Sequence, residues 1–92
     1  MTTDVDKVLD ERGSRYGTFE GHAIIAQSLK MIVRTNLVAK NKVLKASQQE
    51  ALDMIMHKVA RIINGDPNYA DSWVDIAGYA KLVADELEGK VR

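Results

Sequence analysis

The chain is predicted to be all-α, a small helical bundle of about four helices forming a single domain over residues 1–92. Three observations lead there. Apolar residues recur at i, i+3, i+4 and i+7 through three long segments. A single proline and few β-branched runs compete with that pattern. Capping residues and glycines stand where the periodic segments break. With 92 residues, 46% of them apolar, the chain builds one core of marginal size, and completion by oligomerisation is expected.

Composition excludes several classes. Thirteen basic residues balance thirteen acidic ones, for a formal net charge of zero. That argues against a protein that coats DNA or a membrane surface, and no direct DNA contact is expected. Without cysteine there is no disulfide, thiolate nucleophile or zinc–thiolate site. No apolar run approaches the ~20 residues of a membrane span, and no signal segment opens the chain. The expectation is a cytoplasmic protein without membrane contact. A Walker A loop, a dinucleotide glycine fingerprint, an HExxH pair and a nucleophile elbow are all missing.

In chain order, Thr2-Thr3-Asp4 is suited to cap a short helix reaching Arg12, with sparse apolar positions at Val5, Val8 and Leu9 and a stop at Gly13. Residues 12–17, with two glycines, read as a turn. This turn carries Arg12, Arg15 and Tyr16. It is either a loop that touches a phosphate or stacks on a base, or a connection with a docked tyrosine and two solvated arginines. A second helix follows from Thr18, its cap, to Arg34, with Ile24, Ile25, Leu29, Ile32 and Val33 at helical spacing. His22 in its first turn reads as a surface or core-edge residue. Residues 36–46 are the least regular, with Lys40, Lys42 and Lys45 solvated. Ser47 and Glu50 have the spacing of a capping box for a third helix. Its seam is Leu52, Ile55, Met56, Val59, Ile62 and Ile63, and Gly65 ends it. A fourth helix begins near Asp71 or Ser72 and runs to Glu88. Trp73, Ile76, Ala77, Ala80, Val83, Ala84 and Leu87 form its buried seam, and Gly78 lies mid-helix.

The polar faces of the last two helices carry the candidate chemistry. At ~100° per residue, Glu50, Asp53, His57 and Arg61 share a stripe on the third helix, with Lys58 to one side. Asp71, Asp75 and Tyr79 stack one turn apart on the fourth. If the stripes face each other, carboxylates converge where Mg²⁺ or Mn²⁺ binds through oxygen ligands and bridges to phosphate. Lys58 and Arg61 are suited to hold phosphate oxygens. Plainer uses exist for the same groups. Glu50 and Asp71 suit helix caps, Asp53 and His57 an i, i+4 surface pair, and Lys58 and Arg61 complement a helix C-terminus. Asp75, inside a helix, has no capping use.

The segments 11–30 and 50–83 carry a turn with Arg15, Tyr16 and Gly17, the run His57-Lys-Val-Ala-Arg61, and the run Asp71-Ser-Trp-Val-Asp-Ile-Ala-Gly-Tyr-Ala80. In these the chain resembles a small bacteriophage and prophage family of unknown function. Its helix pattern is similar to the all-α MazG-like and dimeric dUTPase-like nucleotide pyrophosphohydrolases, which hold Mg²⁺ between an E-x-x-E helix and an E-x-x-D helix. Here the pairs are Glu50-x-x-Asp53 and Asp71-x-x-x-Asp75. The resemblance implies a phage-derived, Mg²⁺-dependent nucleotide pyrophosphohydrolase and a homo-oligomer. Glu50, Asp53, Asp71 and Asp75 would hold metal, with Asp71 and Asp75 closest to the chemistry. Lys58, Arg61 and Arg15 would hold phosphates, and Tyr16, Trp73 or Tyr79 would stack on the base. The alternative is a non-catalytic accessory protein that sequesters a nucleotide or inhibits a host protein.

Overall fold

A computed structural model describes residues 3–92. Four helices follow in order: α1 (Asp4–Tyr16), α2 (Phe19–Ala39), α3 (Ala46–Asn64) and α4 (Ala70–Leu87). The all-α bundle expected from periodicity is therefore the fold. None of these helices is long and apolar enough to cross a membrane.

Helix α3 is the hub. It packs against α2 on one side and α4 on the other, while α2 and α4 make no contact. The three form a layer, and α1 lies across α2 and α3 on one face of it. The fully buried apolar residues are few and mostly small: Ala26, Ala51, Met56 and Ala60. Alanines at the crossings bring the helix backbones close, so the wider side chains of the seams lie at the edges of each contact.

Several boundaries differ from the sequence reading. Thr3 caps α1 in a reciprocal box: its hydroxyl accepts from the Asp6 N–H at 3.1 Å and the Asp6 carboxylate accepts from the Thr3 N–H at 3.2 Å. Thr2 lies outside the described residues. Gly13 does not stop the helix, because a helical glycine costs only ~1 kcal/mol and the chain continues through it. Helix α1 runs to Tyr16, so Arg12, Arg15 and Tyr16 stand on its last turn rather than in a loop. The stop is Gly17, at φ 78°. Thr18 caps α2 as expected, accepting from the Gly21 N–H at 3.1 Å, but α2 continues past Arg34 to Ala39. This shortens the irregular stretch to residues 40–45.

Ser47 is not the cap of α3. The helix starts two residues earlier, and Gln48 takes the role expected of Glu50, its side-chain oxygen accepting from the Lys45 N–H at 2.9 Å. The Ser47 hydroxyl is thereby free to donate to Glu86 of α4 at 2.7 Å. Asp71 lies inside the first turn of α4, where Tyr69 is the cap residue. Gly65 ends α3 as expected. The seam assigned to α4 is only half used: Ile76 and Val83 are partly buried against the layer, but Trp73, Ala77, Ala80, Ala84 and Leu87 remain exposed. A carbon at the Cβ position of Gly78 would meet nothing within 4 Å. That glycine serves no close approach within the chain.

Candidate functional site

The α1–α2 turn is tied to the far end of α3. Asn64, its last residue, donates from its side-chain amide to the carbonyls of Tyr16 and Thr18, both at 2.8 Å. The Asp66 N–H donates to the Arg15 carbonyl at 2.8 Å. Glycine is needed on both sides of this junction: a Cβ on Gly17 would run into the Asn64 backbone carbonyl, and one on Gly65 into the backbone of Arg15 and Tyr16. The junction fixes where the last turn of α1 and the first turn of α2 stand over α3.

Those turns enclose a cavity of about 520 Å³. Leu9, Tyr16, Phe19 and His22 supply apolar and aromatic wall, and Arg12, Arg61 and His57 supply polar groups. A second cleft of about 300 Å³ shares Arg12, Tyr16 and Arg61 and adds Arg15 and Glu11. Three guanidinium groups and the positive end of α2 thus border one continuous depression. Two of the arginines are held in place. Arg61 lies over the Tyr16 ring, 4.1 Å from its centroid, and Arg15 over the Tyr69 ring at 4.3 Å. The two tyrosine rings meet edge to face at 6.1 Å. Tyr69 donates to Asp71 at 2.9 Å, and this bond above all raises its pKa.

At the floor His22 and His57 meet, Nε2 of the first 3.2 Å from Nδ1 of the second. One ring donates to the other, so at least one imidazole is neutral. Burial lowers the pKa of His22, with Arg61 and Lys30 adding to the effect. His57 is lowered to about 4, first by burial, then by His22, Arg61 and Lys58. Both are therefore neutral at pH 7. His22 is only 7% exposed, and its Nδ1 has no partner among the described residues. A buried imidazole nitrogen without a partner is a cost that the fold carries at this position.

The groups singled out by sequence divide in two. Arg61, Arg15 and Tyr16 converge on the cavity and its cleft. The carboxylates do not converge: Asp75 pairs with Lys58 of α3 at 2.9 Å, Asp53 accepts from Gln49 at 3.0 Å, Asp71 accepts from Tyr69, and Glu50 is exposed. Among the described residues no three His, Asp or Glu groups come together to hold a metal ion. The rotation of α3 is the reason. It turns Lys58 toward α4 and carries the His57–Arg61 stripe, about 100° away, toward α1 and α2. Lys58 is thereby committed to Asp75. Trp73, whose indole donates to the Pro67 carbonyl at 2.9 Å, and Tyr79, which lies beside Asp75 and Glu50, do not line the cavity. Sequence reading undervalued His22, His57 and Phe19. Their signal lay in the antiparallel register of α2 and α3, which no spacing along one helix reveals.

Comparison with curated proteins and with solved structures yields no match. A family model does match residues 1–87, and the chain belongs to that family, described as a domain of unknown function, DUF6378.

Proposed function

We propose that this protein binds a phosphorylated aromatic ligand, a nucleotide being the fitting class, in the cavity between α1, α2 and α3. The observation that carries the reading is the pairing of two environments across Arg12, Tyr16 and Arg61. The larger cavity has an aromatic and aliphatic wall suited to a base, and the smaller cleft has arginines suited to phosphate oxygens. The volume is in the range of small-molecule sites. Binding without hydrolysis is favoured because the carboxylates that would hold Mg²⁺ are engaged elsewhere, Asp75 with Lys58 and Asp53 with Gln49. In the bacteriophage setting that the sequence motifs suggest, such a module sequesters a nucleotide in the host cytoplasm.

Titration calorimetry with nucleoside mono-, di- and triphosphates and with inorganic phosphate tests this, each with Mg²⁺ and with a chelator. Nucleotide should bind in both conditions, more tightly than phosphate alone. Arg61→Ala should weaken it by about 10- to 100-fold, the worth of one charge-assisted hydrogen bond. Asp75→Ala should leave affinity unchanged. No heat with any nucleotide would reject the reading. Release of pyrophosphate with Mg²⁺, abolished by Asp75→Ala, would replace it with the hydrolase.

A further inference from the structure

The face of the helical layer opposite α1 is apolar, without charge and uncovered. At 100° per residue, the positions of α2, α3 and α4 that point to this side are Ile25, Leu29 and Ile32, then Leu52, Val59 and Ile63, then the Trp73–Leu87 stripe. No Asp, Glu, Lys or Arg falls among them. Exposure is high for core-type residues: Ile32 60%, Ile63 63%, Trp73 55% and Leu87 59%. Between Trp73 and Leu87 stand Ala77, Ala80 and Ala84, small enough to admit another helix closely.

The size of the deficit points to what covers it. The chain exposes 6767 Å² for 10.2 kDa, whereas a compact monomer of that mass exposes about 5,300 Å². Its radius of gyration is 15.6 Å, against about 12 Å for a compact chain of this length. The surplus, about 1,400 Å², is spread over the whole chain, part of it on α1 and the α2–α3 connection, and it leaves room for the roughly 800 Å² per partner of an ordinary stable interface. The face also has no charge with which to select a different partner, while a two-fold axis sets apolar surface on apolar surface automatically.

We propose that the open face of the α2–α3–α4 layer is a homodimer interface, and that a second copy of this chain completes the core through it. The inference is independent of the ligand site, which lies on the other face.

Analytical ultracentrifugation of the purified chain at micromolar concentration, with thermal unfolding over a range of concentrations, decides it. The expected mass is twice 10.2 kDa, and the melting temperature should rise with protein concentration. Ala80→Glu buries a carboxylate at the centre of the interface and should raise the dissociation constant by about 100-fold or more. If that variant unfolds, the milder Trp73→Ala should still show a weakened dimer by the same measurement. Ile24→Glu, on the outer edge of α2, should leave the dimer intact. A monomer whose melting temperature ignores concentration would overturn the proposal. So would a dimer that tolerates Ala80→Glu at undiminished affinity, or one that Ile24→Glu breaks.

Discussion

Gly17→Ala is expected to lower stability by about 3 kcal/mol or more, enough to reduce the melting temperature of a chain this size by on the order of 15 °C. Two costs add. The backbone there sits at φ 78°, ψ −166°, a region almost closed to residues with a Cβ, at roughly 1–3 kcal/mol. The new methyl would also displace the Asn64 carbonyl and strain the two bonds from the Asn64 amide, each worth about 1 kcal/mol net. Four residues earlier the sign reverses. Gly13 lies inside α1 with nothing within 4 Å of a Cβ, so Gly13→Ala should stabilise by about 0.5–1 kcal/mol. Thermal unfolding of the two variants side by side checks both. Equal effects would mean that the junction does not hold the turn.

The second large effect is acid weakening. His57 titrates at about 4 in the folded chain and near 6.5 when unfolded. Between those values the unfolded chain takes up the proton that the folded one refuses. Stability is therefore unaffected by this group above pH 6.5 and falls as pH drops from 6.5 toward 4. For a fully buried ring the shift corresponds to about 3 kcal/mol, and solvent at the cavity reduces the expected loss to about 1–2 kcal/mol. The positive charges of Arg61, Lys58 and Lys30 are near enough to the imidazole pair to disfavour its protonation, although Lys58 itself points to Asp75. The Asp85 carboxyl is lowered, first by its bond from Lys81 and with help from Arg92, so its contribution is lost at lower pH, outside this window. Denaturant titrations at pH 7 and pH 5 should show the drop in the wild type and a smaller one in His57→Gln. An anion in the cavity favours the charged imidazole, so the nucleotide of the proposed site should bind more tightly as pH falls across the same range.

Local signals were legible in the sequence, and tertiary choices were not. The Thr18 cap, the Gly65 stop and the extent of α4 are set by neighbouring backbone groups. Gly13 and Gly17 look alike along the chain. What separates them is the Asn64 carbonyl, brought in from the far end of α3. Ser47 and Lys45 are also near-equivalent starts, and the helix takes the one that leaves Ser47 free to reach Glu86. The acidic stripes were correctly placed on their helices, but the rotation of α3 that pairs Lys58 with Asp75 depends on packing against two neighbours at once. The His22–His57 contact needs the register of two antiparallel helices. The apolar stripe of α4 was read correctly as a burial surface, yet within one chain most of it faces outward.

Helix α1 contains no buried residue and, among the helices, packs only on α2 and α3. Its attachment rests on the Asn64 and Asp66 hydrogen bonds, on Tyr16 beneath Arg61 and on Arg15 over Tyr69. It is thus the segment that detaches first, at a free energy well below that of global unfolding. Amide protons of α1 should exchange with deuterium faster than those of α3, in a cooperative block. Since α1 supplies Leu9, Arg12 and Tyr16 to the cavity wall, any molecule bound there would slow that exchange. Protection of residues 4–16 would then report occupancy even where no change of shape occurs.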